Sequence, residues 1–116
     1  MEIKDIKDKI EKAIIAIATV NQEGEPHNIV IAHAKVEEHK IIITDNYMKT
    51  TIENIKNNSN VSLVFWDEEK GWRINGRAEY YKDGEWFELV KSLETNKNHP
   101  CKGAIVINTE EVVELG

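Results

Sequence analysis

Lys49-Thr50-Thr51, followed by Glu53, is the stretch of this sequence whose side chains are best placed for chemistry; Thr44, Asp45 and Met48 lie just before it. Thr50-x-x-Glu53 has the spacing of a capping box, with a hydroxyl at the N-cap and a carboxylate three residues on. A helix start leaves backbone N–H groups without intrahelical partners and carries partial positive charge. An anion such as phosphate can be held there. Lys49 adds a full positive charge, and Thr50 and Thr51 add hydroxyl donors. A phosphate carries about −1.5 to −2 charges at neutral pH. In a chain of net charge −6 it needs a local reversal of this kind. The same residues also read as an ordinary helix start, because Ser, Thr, Asp and Asn open most helices without any ligand.

Other reactive side chains are sparse. The histidines are His27, His33, His39 and His99, and the one cysteine is Cys101. No pair of histidines has a helical metal spacing. His99-Pro100-Cys101 offers two close ligands where a metal site needs three or four. Cys101 with His99 is the only nucleophile–base pair; two residues apart on a strand they would share a face. A lone cysteine is far more often simply a small core residue. Trp66, Trp72 and Trp86 could stack on a ring-bearing ligand or a partner, or fill the core. Asp67-Glu68-Glu69 reads as a solvated turn.

The elements that must position these residues follow from periodicity. Ile3, Ile6 and Ile10 have helical spacing and predict a short amphipathic helix. Residues 13–20 form an unbroken apolar run, and "NQEGEP" then reads as a turn. Residues 27–36 predict a second strand, making a hairpin with the first. After the turn "VEEHK", residues 40–44 predict a third, rich in β-branched side chains. The period then changes: Met48, Ile52 and Ile55 fall on one helix face, ended by "NNSN". Strands over 61–66 and 72–81 flank the turn "DEEKG". Asp83 is a candidate cap for a helix over 85–93, with Trp86, Val90 and Leu93 inward. Residues 103–108 form the last firm strand, with a short additional one over 112–115. The expectation is one domain over 1–116: mainly β, about six antiparallel strands in a Greek-key-like barrel with capping helices.

Composition narrows the function. Net charge −6 argues against non-specific nucleic-acid binding and against an anionic membrane surface. One cysteine excludes an internal disulfide and suits a reducing cytoplasm. The start, MEIKDIKDKIEK, has no apolar signal core, and no apolar run reaches the roughly 18 to 20 residues of a membrane span. A soluble, cytoplasmic protein is expected.

The ordered series "ATVNQEGEPHNIVIA", "IIITDNYMKTTIENIKNNSNVSLVF", "GWRINGRAEYYKDG" and "AIVINTEEVVEL" resembles the FMN-binding split-barrel family, which includes pyridoxamine 5'-phosphate oxidase and small stand-alone FMN-binding proteins. The resemblance spans roughly residues 13 to 115 and is closest to the small members. It implies a split β-barrel, FMN as cofactor, and a homodimer with two flavins at the subunit interface. By resemblance, Asn28, Ile29, Val30, Ile31 and Ala32 lie beside the isoalloxazine ring. Thr44, Asp45, Met48, Lys49, Thr50 and Thr51 hold the phosphate. Two departures weaken the positive charge there. The lysine falls one position early, at Lys49, and Ile29 stands where larger oxidases have an arginine. Arg73 or Arg77 is a candidate to compensate, and the region of Trp72 a candidate to reach the flavin of a partner chain. The chain is too short and too poor in basic residues for pyridoxamine 5'-phosphate oxidase itself. An electron-transfer protein or a small flavin-dependent oxidoreductase with an unidentified redox partner fits better. The alternative is a binding module holding deazaflavin F420 or haem on the same barrel, without turnover.

Overall fold

The computed structural model describes all 116 residues. Its strands are β1 (Ile15–Val20), β2 (Pro26–Ile31), β3 (Lys35–Glu37), β4 (Lys40–Asp45), β5 (Asn60–Trp66), β6 (Gly71–Tyr81) and β7 (Gly103–Leu115). A 3-10 turn over Ile3–Ile6 leads into α1 (Lys7–Ile10); α2 (Thr50–Asn57) follows β4, and α3 (Gly84–Lys91) follows β6. All seven strands belong to one antiparallel sheet in the order β2-β1-β5-β6-β7-β4-β3.

Seven strands replace the expected six, for two physical reasons. The predicted strand over 27–36 breaks, because its buried positions run Ile31, Ala34, Val36. That spacing slips by one residue at 32–34, and a strand cannot change phase without leaving its ladder. The chain bends there, and β3 pairs with β4 instead of β1. Conversely, the strands expected over 103–108 and 112–115 are one continuous strand of 13 residues. The polar stretch Asn108–Glu111 hid the join. Its register against β6 slips between Asn75 and Gly76, leaving Glu110 unmatched. At Gly76 a Cβ would run into the Asn108 carbonyl oxygen and lie 3.0 Å from Ile107 Cγ2. Only glycine lets the two backbones approach that closely.

The edge strands β2 and β3 are consecutive in the chain. With only residues 32–34 between them, Ile31 and Lys35 can be at most about 14 Å apart. The sheet is therefore curled almost to closure but left unpaired at this seam, which is what makes it a split barrel.

Inside the curl, Ile15, Ile17, Val36, Ile41, Ile43, Leu63, Phe65, Ile74, Ile105 and Ile107 form the core. Ile3, Ile6 and Ile10 join it from the N-terminal helical segment. Trp72 is in the same core at 3% exposure and stacks on Phe65 at 5.1 Å. Its own ring therefore faces the core, so any outward contact from this region belongs to its neighbours. A second cluster on the other face of the sheet joins Ile42, Ala104 and Val106 to Val90 of α3, flanked by Trp86 and Leu93. This is why β4 and the first half of β7 are apolar on both faces. Asp83 stands at the start of α3 but its carboxylate makes no capping bond.

Candidate functional site

The open seam leads into a cavity of about 850 Å³. One wall is β2 with the seam residues, contributing His27, Ile29, Val30, Ile31, Ala32, His33 and Lys35. The facing wall is the end of β4 and the turn after it, from Ile42 through Thr51 except Asp45. A third side comes from Leu93–Asn96 and His99. Because β2 is an edge strand, the N–H and C=O groups along its outer edge have no ladder partner.

Nine of the eleven expected site residues line this cavity: Ile29, Val30, Ile31, Ala32, Thr44, Met48, Lys49, Thr50 and Thr51. Asn28 does not, although it shares the outer face of β2 with Val30; it is paired with Ala18. Asp45 does not either. At 1% exposure it lies beneath the turn and builds it. One carboxylate oxygen accepts the Met48 N–H at 2.9 Å, the other accepts the Tyr80 hydroxyl at 2.5 Å, and Lys102 Nζ lies 3.9 Å away. Lys102 also donates to the Met48 carbonyl at 2.8 Å.

The turn differs from the expected capping box. Lys49, not Thr50, occupies the N-cap, and no side chain caps the helix. With Thr50 already in the first turn, its hydroxyl comes one position too late to cap. The result leaves more donors free. The backbone N–H groups of Lys49, Thr50 and Thr51 have no acceptor within the chain. Thr51 is nearly buried at 2%, while Lys49 and Thr50 are exposed.

Several lining residues escape sequence reading. Asn46 and Asn96, fifty positions apart, exchange amide hydrogen bonds at 2.7 and 3.1 Å. Asn46 Oδ1 also accepts the Cys101 N–H at 3.0 Å. These bonds bring the loop after α3 to the turn, and Tyr47 meets His99 edge-on, hydroxyl to Nδ1 at 3.3 Å. Only the abundance of Asn in both stretches hints at this pairing. The same loop removes the shared strand face proposed for His99 and Cys101. Both lie outside any strand, and Cys101 has a φ of 51°. Burial pushes its thiol pKa up, so less of it is thiolate at neutral pH. Arg73 and Arg77 are likewise away from the cavity, beside Glu111 at 3.9 Å and Glu110 at 3.4 Å.

Burial, and then the bond to Asp45 and its charge, raise the Tyr80 phenol well above the ordinary range. The folded state thus holds that proton more tightly than the unfolded chain does. The resulting stability is fully present below the unfolded value of about 10 and is lost as pH rises above it toward the folded value. Denaturant midpoints measured from pH 9 to pH 11.5 should therefore fall, and Tyr80→Phe should flatten much of that fall. Burial and Glu79 raise the half-buried Tyr81 as well, leaving a residual slope. A fall of the same steepness in Tyr80→Phe would contradict the assignment.

The family model described as pyridoxamine 5'-phosphate oxidase matches residues 3–116. The uncharacterized protein MJ0282 of Methanocaldococcus jannaschii is 30% identical over 118 residues, covering 97% of this chain and 79% of the relative. Among solved structures, HupZ of Group A Streptococcus superposes with a TM-score of 0.87 at 25% identity, covering 99% of this chain and 94% of that one. An FMN-binding protein of Syntrophomonas wolfei gives 0.77 at 18% identity over 97% and 88%. An F420 reductase gives 0.74 at 17% over 92% and 94%. The last two establish likeness of fold. No helix of this chain is long and apolar enough to cross a membrane.

Proposed function

The chain belongs to the pyridoxamine 5'-phosphate oxidase family of FMN-binding split barrels, and from that premise we propose that it is an FMN-binding flavoprotein serving electron transfer or a small oxidoreductase reaction. One observation carries the reading. The cavity at the seam sets the unpaired edge of β2 opposite a turn whose backbone N–H groups, Lys49 amine and two threonine hydroxyls are unengaged. Such an edge offers alternating donors and acceptors to the heteroatoms of a flat ring, and Ile29, Ile31 and Met48 give the ring an apolar bed. The turn offers donors to a phosphate, where positive dipole and ammonium act together. The residues present fit FMN at both of its ends.

A bound flavin would supply hydride or single-electron chemistry, and the chain's part is binding, orientation and electrostatics. Ile29, Val30, Ile31 and Ala32 would hold the ring. Thr44, Met48, Lys49, Thr50 and Thr51 would hold the phosphate, with Asp45 fixing the turn from below. The similarity of fold to an F420 reductase makes the deazaflavin the competing cofactor. F420 carries a long acidic tail that this acidic chain does little to attract. The reading is tested by the visible spectrum of protein incubated with FMN and then desalted. The two bands of an oxidised flavin retained with the protein support it; a protein that loses all flavin on desalting refutes it.

The proposal includes a homodimer with the flavin at its interface. The outer face of β2, β1, β5 and β6 carries the row Val30, Ala16, Val64, Arg73 across the sheet, with Ile14 and Trp66 nearby. Val30 and Trp66, on one face of the sheet, are 69% and 62% exposed. On this face α3 packs over β4, β7 and the Tyr81 end of β6, away from the row, and α2 meets β1 through the Thr19–Asn54 bond on the inner side. Arg73 Nε is shielded from solvent yet has no acceptor in the chain. Val30 borders both this face and the cavity. Sedimentation equilibrium at micromolar concentration should return twice the chain mass of 13.3 kDa. A monomer under those conditions would remove the interfacial site from the proposal.

A further inference from the structure

Resting on the flavin reading, the charge inventory of the cavity points to what selects a phosphate-bearing ligand in an acidic protein. The charged residues lining it are Lys35 and Lys49 against Glu11 and Glu94, which balance. Arg73 and Arg77 are not among them. Asp45, under the turn, is met by Tyr80 and Lys102. What remains is imidazole. Of the chain's four histidines, His27, His33 and His99 line this one cavity, and only His39 lies elsewhere.

The three come from separate parts of the wall: β2, the seam and the loop before β7. His99 has its Nδ1 beside the Tyr47 hydroxyl, and its Nε2 makes no bond within the chain. When the hydroxyl donates to Nδ1, the neutral ring carries its proton on Nε2, so it remains a donor in either charge state. The side chains of His27 and His33 have no hydrogen-bond partner in the chain. The charged side chains that share the cavity with them are Glu11 and Glu94 and, of opposite sign, Lys35 and Lys49; Glu11 already accepts the Val36 N–H at 2.8 Å. Imidazole changes its charge between pH 5 and 8. Three such rings are the one group of side chains lining this cavity that can add positive charge to its balanced lysines and glutamates in an acidic chain.

We propose that His27, His33 and His99 are specificity-determining residues of this site, supplying the positive charge by which it prefers a phosphate-bearing flavin to its neutral analogue. The test compares FMN with riboflavin, which lacks the phosphate, by fluorescence titration between pH 8.5 and 6.5. The second proton of a phosphate binds near pH 6, so the ligand's own titration lowers the attraction as pH falls. A preference that rises on acidification must therefore come from the protein. The ratio of FMN to riboflavin affinity is expected to rise about tenfold over this window, the size expected when imidazole charge is gained in the same cavity as the phosphate. His27→Gln/His33→Gln/His99→Gln should flatten the rise, and His39→Gln should leave it intact. The single variant His99→Gln, expected to remove part of the rise, serves if the triple variant fails to fold. Tight FMN binding with a flat or falling ratio overturns this inference and leaves the flavin reading standing. So does a rise that persists in the folded triple variant. Binding of neither flavin at any pH overturns both.

Discussion

Lys49→Ala combined with Thr51→Val is expected to weaken FMN binding by a hundredfold or more while the barrel stays folded. Lys49 is the only cation on the turn facing the cavity, and the nearly buried Thr51 lines that same wall. A hydrogen bond to a charged group contributes roughly 1.5 to 3 kcal/mol, so losing two removes about 3 kcal/mol at the least, which is about two decades in Kd. Valine keeps the volume of threonine in a packed position and removes the hydroxyl, so the effect reads on the ligand rather than on the core. Lys49 is exposed and its removal touches no packing. The measurement is flavin fluorescence quenching, with circular dichroism on the same samples. Equal affinity in variant and parent would place the phosphate elsewhere.

The second large effect is on the fold itself. Asp45→Ala removes the carboxylate that holds the Met48 N–H and the Tyr80 hydroxyl, and leaves Lys102 without its carboxylate. Two bonds to a buried charge are lost together, and their donors are left without partners. The expected cost is about 3 to 5 kcal/mol, a large part of the total stability of a small domain. At this size each kcal/mol moves Tm by about 4 °C, so a fall of about 12 to 20 °C is expected. Tyr80→Phe breaks only one of the two bonds and should cost less than half as much. If Asp45→Ala melts within a few degrees of the parent, the turn is held by its neighbours and not by Asp45.

Asp45 also shows how far the sequence carries the reading. Ile41, Ile43 and Asp45 alternate inward on β4, so the strand and its face are legible from spacing alone. An inward-pointing aspartate at a strand end, however, could bind a ligand or brace the backbone. Its partner Tyr80 lies 35 residues away, on a strand whose pairing the pattern does not specify. The helix with Ile52 and Ile55 inward is equally legible, but its first residue is not. The N-cap falls on Lys49 because Asp45 closes the turn early, and Thr50 therefore does not cap.

The seam is the other part that spacing obscured. Residues 27–36 are continuously compatible with a strand, and only the slip from Ile31 to Ala34 marks the break that opens the cavity. The loop carrying His99 reaches the cavity through Asn46 and Asn96, a contact with no periodic signature. Histidines spread over 72 positions of sequence look unrelated until the barrel curls.

The measurement that bears most directly on the central claim is a map of backbone amide shifts in ¹⁵N-labelled protein as FMN is added. Shifts concentrated at Ile29 to Ala32 and at Met48 to Thr51, on both sides of the seam, are predicted. Shifts confined to other surfaces, or a spectrum unchanged at saturating FMN, would contradict the account.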